Sequence, residues 1–204
     1  MTRHISAGFD LRVPAESLPE DPSLTDQWLV PLNRSRISAD AGVWPTPEEI
    51  SDFYRGDLSA YPLGLLNDPD RLLGALHEHG IATVGFTSVC VTISGETAAA
   101  LSEDHWADHF AVALREEDLL LRGWRFLGFD VAELNGLCSG LKGCGYKEPL
   151  WSQLRARFGG ALNDVGLFSD ATIASQFAGI RGLEIPSHAP FEVVGVLVHD
   201  ASKE

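Results

Sequence analysis

The chain is short of cationic side chains. Fifteen Lys and Arg stand against 29 Asp and Glu among 204 residues, a formal net charge of −14. That balance argues against a nucleic-acid ligand, because phosphate backbones are bound by clustered Lys and Arg that displace counterions. It suits plain solubility, and it equally suits a basic protein partner drawn in by long-range steering. Cysteine is also scarce. Cys90, Cys138 and Cys144 cannot all pair within the chain, and the spacing of the last two is not the Cys-x-x-Cys of redox or zinc sites, so reduced thiols are expected. No apolar run approaches the roughly 20 residues that span a bilayer. The opening Met1-Thr2-Arg3-His4-Ile5-Ser6-Ala7-Gly8 lacks the continuous apolar core of a signal peptide, so a cytoplasmic location away from membranes is the expectation.

Complete chemical motifs are missing as well. Gly136, Gly140, Gly143 and Gly145 fit neither dinucleotide nor P-loop spacing, and no Gly-Lys-Ser or Gly-Lys-Thr occurs. Leu137-Cys138-Ser139-Gly140 has no glycine two residues ahead of its serine, as a nucleophile elbow requires. Tight turns account for these glycines. No cofactor or metal is expected, and no internal repeat or low-complexity tract stands out.

What is present is an ordinary globular composition, with 45% apolar and 22% charged residues. Residues 1–45 are rich in Pro, Ser and Asp and read as an extended arm or leader, although the alternation from Ile5 to Val13 permits a strand. Residues 46–204 read as a single globular domain. Thr46-Pro47-Glu48-Glu49 starts a short helix through about Tyr54, and Asp68-Pro69-Asp70 starts another that stops at Gly80. The β-branched run Ala82 to Ser94 is a buried strand ended by Gly95. Ser102-Glu103-Asp104 caps a third helix with Trp106, Phe110, Ala113 and Leu114 on its core face. Alternation over Trp124 to Val131 gives a strand in which Gly128 marks a candidate bulge. Pro149-Leu150-Trp151 opens a fourth helix closed by Gly159-Gly160, Ser169-Asp170 caps a fifth through about Ile180, and Phe191 to His199 is a last strand with valines on both faces. Strands apolar on both faces must be covered on both, which gives an α+β or α/β class: a single domain with a mixed central sheet of about four strands and about five helices.

Three constellations bear chemistry. His105 and His109 lie four apart on the third helix, a spacing that can set two imidazoles beside a metal, but Trp106 stands where a zinc protease has Glu and no third ligand is visible. His77 and His79, two apart, do not share a helix face. His188, framed by Pro186 and Pro190, would be a general base if Asp130 or Glu133 lay beside it; with Cys144 in the glycine-rich loop, Asp130, Cys144 and His188 form the candidate cluster. A small hydrolase or metal-dependent enzyme would use His188 and Cys144, or His105 and His109. A rigid proline-framed strand entry accounts for His188 without any chemistry.

Gly128-Phe129-Asp130-Val131, Ser139-Gly140-Leu141-Lys142-Gly143-Cys144-Gly145-Tyr146, Leu162-Asn163-Asp164-Val165-Gly166-Leu167-Phe168 and Pro186-Ser187-His188-Ala189-Pro190-Phe191 resemble a pattern in small acidic bacterial proteins, among them immunity proteins of polymorphic and contact-dependent toxin systems. The resemblance covers roughly the C-terminal 80 residues, and Lys142-Gly143 stands where the pattern has a polar pair ending in Asn. It implies toxin neutralisation by binding, with no catalytic residue to carry over. On that view Glu48, Glu49, Asp52, Glu116, Glu117 and Asp118 would steer a basic toxin domain, and Trp44 or Tyr61 would anchor it. A bacterial protein with a regulatory binding role is the remaining alternative, and the sequence leaves the oligomeric state open.

Overall fold

A computed structural model describes residues 4–13, 24, 35–36, 65–68, 70, 87–133, 138–141, 148–186 and 190–199. The class is α+β. Four strands are long, β1 (His4–Val13), β3 (Thr87–Ser94), β4 (Arg125–Glu133) and β6 (Phe191–His199), and two have two residues each, β2 (Ser35–Arg36) and β5 (Cys138–Ser139). The α-helices among the described residues are α1 (Gly95–Leu101), α2 (Ala107–Ala111), α3 (Glu116–Leu121), α4 (Leu150–Phe158) and α5 (Ala171–Glu184). The helices expected after Thr46 and between Asp68 and Gly80 lie mostly outside the described residues, as does most of the expected 1–45 arm.

Contacts along the chain gather into two compact units. In the first, the strand order is β2-β1-β3, and β1 runs antiparallel to both neighbours. Every side chain from Ser88 to Ile93 in β3 is buried, as a strand covered on both faces requires. The core joins Phe9, Cys90, Leu119, Trp124 and Leu197, with Leu114 and Phe126 packed against them. In the second unit the order is β6-β4-β5. Trp151, Leu154 and Phe158 form the buried stripe of α4. Phe158, Phe168 and Phe177 make a triangle of rings with centroids 5.3, 5.6 and 6.3 Å apart.

The two ends of the chain's helical signals behaved differently. Asp170 caps α5 as expected, its carboxylate accepting the Thr172 and Ile173 amides at 2.6 and 3.2 Å, and α5 continues to Glu184. The start expected at Ser102 is instead mid-helix. Ser94 is the cap, accepting the Thr97 amide at 3.0 Å, so Gly95 begins α1 where a strand end was expected, and the Ala98-Ala99-Ala100 run propagates it. Ser102 lies in a π-helical turn, Ser102–Trp106, with its hydroxyl donated to the Ala98 carbonyl at 2.7 Å.

The absence of an internal repeat is also corrected: the units carry one backbone plan twice. Gly8-Phe9-Asp10-Leu11 in β1 answers Gly128-Phe129-Asp130-Val131 in β4, 120 residues later. Both glycines adopt positive φ, +149° and +144°. Phe9 and Leu66 exchange two backbone hydrogen bonds of 2.8 and 3.0 Å, and Phe129 and Phe168 do the same at 2.8 and 2.9 Å. A Cβ on Gly8 would lie 2.7 Å from the Leu66 carbonyl oxygen, and one on Gly128 would lie 2.8 Å from that of Phe168. Two residues beyond each bridge an Asp caps the chain: Asp68 accepts the Asp70 amide at 3.0 Å, as Asp170 accepts that of Thr172. The short strands also correspond. β2 pairs Arg12 with Arg36 and Val13 with Ser35, and β5 pairs Ala132 with Ser139 and Glu133 with Cys138. Between the copies runs a connector, residues 95–124, that carries α1, α2 and α3.

Candidate functional site

Asp130 is the one member of the expected Asp130, Cys144 and His188 cluster among the described residues. It is fully buried in β4, and its Oδ1 accepts the Val131 amide and the Ser139 hydroxyl, each at 2.7 Å. Ser139 Oγ in turn accepts the Leu141 amide at 3.2 Å. Gly140 donates its amide to the Val131 carbonyl at 2.6 Å, and a Cβ there would stand 2.8 Å from that oxygen. Glycine is therefore demanded by close approach of the loop to β4. Beside it the buried Arg181 lays its guanidinium 4.9 Å from the centre of the Phe191 ring. The hydroxyl of Ser139 is thus buried and committed to a carboxylate, a lock that fastens β5 to β4 and turns the chain inward.

His109 is spent in a similar way. Ser6 pairs with Thr92 and Gly8 with Val91, so Ala7 is the extra residue of a β-bulge and its carbonyl leaves the β1–β3 ladder. His109 takes that carbonyl at 2.6 Å through Nε2, which as donor must carry the proton. Burial lowers the His109 pKa from the ordinary 6.5, against a smaller upward pull from the Ala7 carbonyl. The backbone of His105 lies in the π turn, so the continuous α-helix on which its four-residue spacing from His109 depended is interrupted. Among the described residues no group of three His, Cys, Asp or Glu could hold a metal ion.

Cys90 is a buried thiol of β3 whose pKa is pushed well up, first by burial and then by the charge of Glu116. Such a thiol is a poor nucleophile. Cys144 and His188, with Trp44, Glu48, Glu49, Asp52 and Tyr61, lie outside the described residues.

The acidic residues expected to meet a partner divide. Glu116 is half-buried, accepts the Thr92 hydroxyl at 3.4 Å and stands 3.7 Å from Nδ1 of His4. Glu117 and Asp118 point into solvent from the first turn of α3. Sequence reasoning missed the leucines that come directly after them. Leu119-Leu120-Leu121 cannot all face inward on one helix, and only Leu119 does; Leu120 is 45% and Leu121 86% exposed, with Val112 at 58%. It also missed Asn163, whose side-chain carbonyl accepts the Val165 and Leu167 amides, both at 3.1 Å, while its amide nitrogen donates to the Leu127 carbonyl at 2.7 Å. No described helix is long and apolar enough to cross a membrane. Comparison with known proteins matched no family model, no curated protein and no solved structure.

Proposed function

We propose that the chain is a non-enzymatic acidic binding protein of immunity type, which acts in the cytoplasm by covering a basic toxin domain. One observation carries this reading. Asp130, Ser139, His109 and Cys90 are buried, the first three tied into backbone support, while Glu117 and Asp118 are left to solvent. A net charge of −14 then supplies attraction for a cationic surface.

Co-expression tests it. The chain is produced with each secreted protein encoded beside its gene, and survival and co-purification are measured at low and high salt. Rescue of growth with a complex that weakens as salt rises is the expected result. If no neighbouring secreted protein loses toxicity or co-purifies, the reading fails.

A further inference from the structure

The repeated plan separates residues that serve the fold from residues that do not. Gly8 and Gly128, Phe9 and Phe129, and the paired capping aspartates recur because the backbone needs them in each copy. The connector, residues 95–124, lies within the first unit but takes no part in the repeated plan. It holds seven Asp and Glu against two Arg, a net −5 of the chain's −14 in 30 residues. Three of the four large hydrophobic side chains exposed among the described residues, Val112, Leu120 and Leu121, fall in ten consecutive residues of it; Leu183 is the fourth.

These exposed groups are not there for want of an anchor. Leu119 fills the core of the first unit. The Leu114 carbonyl accepts the Ser6 amide at 2.7 Å, the Leu114 amide reaches Ser6 Oγ at 2.9 Å, and Ile5 bridges Arg115. The connector is thus pinned to β1 on one side while it presents Leu121 and Val112 to water. A protein interface is commonly built this way, with a few apolar anchors inside a charged rim that sets orientation and approach.

Resting on the binding role proposed above, we infer that the connector is the recognition element, and that its partner is a cationic protein surface with an apolar cleft that receives Leu121 and Val112. A membrane surface is disfavoured by the local charge, since cytoplasmic leaflets are themselves anionic.

The full chain is titrated against three labelled synthetic helical peptides, one of Lys and Leu, one of Lys and Gln, and one of Glu and Leu, with anisotropy as the readout, and against vesicles of phosphatidylcholine and phosphatidylserine by sedimentation. The Lys and Leu peptide should bind most tightly, weaken with salt, and lose about tenfold in affinity on Leu121→Ser or Val112→Ser, the loss typical of an anchoring residue. Glu117→Lys with Asp118→Lys should weaken it as well. Far-ultraviolet circular dichroism confirms that each variant is folded. Tight binding that ignores these substitutions, or equal binding of the Lys and Gln peptide, overturns the connector as anchor and leaves the acidic binding role standing. Binding of the Glu and Leu peptide or of vesicles in preference overturns the cationic protein partner. Failure of every cationic peptide to bind overturns the inference, while the co-expression result still decides the role itself.

Discussion

The first and second units face the same backbone problem and solve it with different side chains. In each, the residue before the positive-φ glycine, Ala7 or Leu127, has a carbonyl that is satisfied by a side chain from another segment. In the second unit the task falls to Asn163, an amide that cannot titrate and that also organises the loop leading to Phe168. In the first it falls to His109, which comes from the connector and can take up a proton. The backbone plan is what the two units hold in common, and the side chains that satisfy it differ.

The largest test of the shared plan removes a bridge residue. Phe168 is buried among Phe158 and Phe177, so Phe168→Ala should cost about 3–5 kcal/mol in urea unfolding, the range for a buried ring. A loss near 1 kcal/mol would mean that the bridge is peripheral to the second unit. Next come Gly8→Ala and Gly128→Ala. Each places a methyl group under 3 Å from a carbonyl oxygen at a φ that side chains avoid, and each should destabilise by roughly 2–4 kcal/mol. The two losses should be comparable; if either variant is as stable as the parent, the correspondence of the two strands breaks. Ser139→Ala leaves the Leu141 amide and one side of Asp130 without their hydroxyl, so it should cost about 1–3 kcal/mol and speed hydrogen exchange at Leu141, in the second unit only.

The smallest effect is the most selective. The folded-state pKa of His109 lies below its ordinary 6.5, so its contribution to stability is complete above that value and is lost as pH falls from 6.5 through the lowered folded pKa. Unfolding measured from pH 7.5 to 5 should therefore show a decline that His109→Gln removes, and Asn163→Gln should leave that slope in place. A slope unchanged by His109→Gln would show that burial of this imidazole does not govern the acid limb.

Much of this was legible. The strands from Ile5, Trp124 and Phe191, and the helices opened by Pro149 and Asp170, announce themselves through alternation and caps within a few residues. Ser94 and Ser102 compete as caps for one helical stretch, and only the contact of Ser94 with Thr97 decides between them. The repeat escaped because it has no fixed period: the strands stand 120 residues apart and the bridging loops 102, so Gly-Phe-Asp and Gly-Leu-x-x-Asp are all that a scan by eye would meet. At the candidate cluster, the sequence offers Asp130 as a group that would orient His188, and the structure shows it buried in β4. Its partner Ser139 is a matter of tertiary proximity, and it makes the carboxylate a fastener.

The outer side of β1 is engaged at three points along its ten residues. Ile5 and Ser6 meet the connector at Arg115 and Leu114, Phe9 meets Leu66, and Arg12 with Val13 meets β2. A ten-residue strand with a bare flank is a template on which stray chains polymerise. Here separate described segments occupy that flank. Contacts of this kind guard β1 against pairing with another copy of itself.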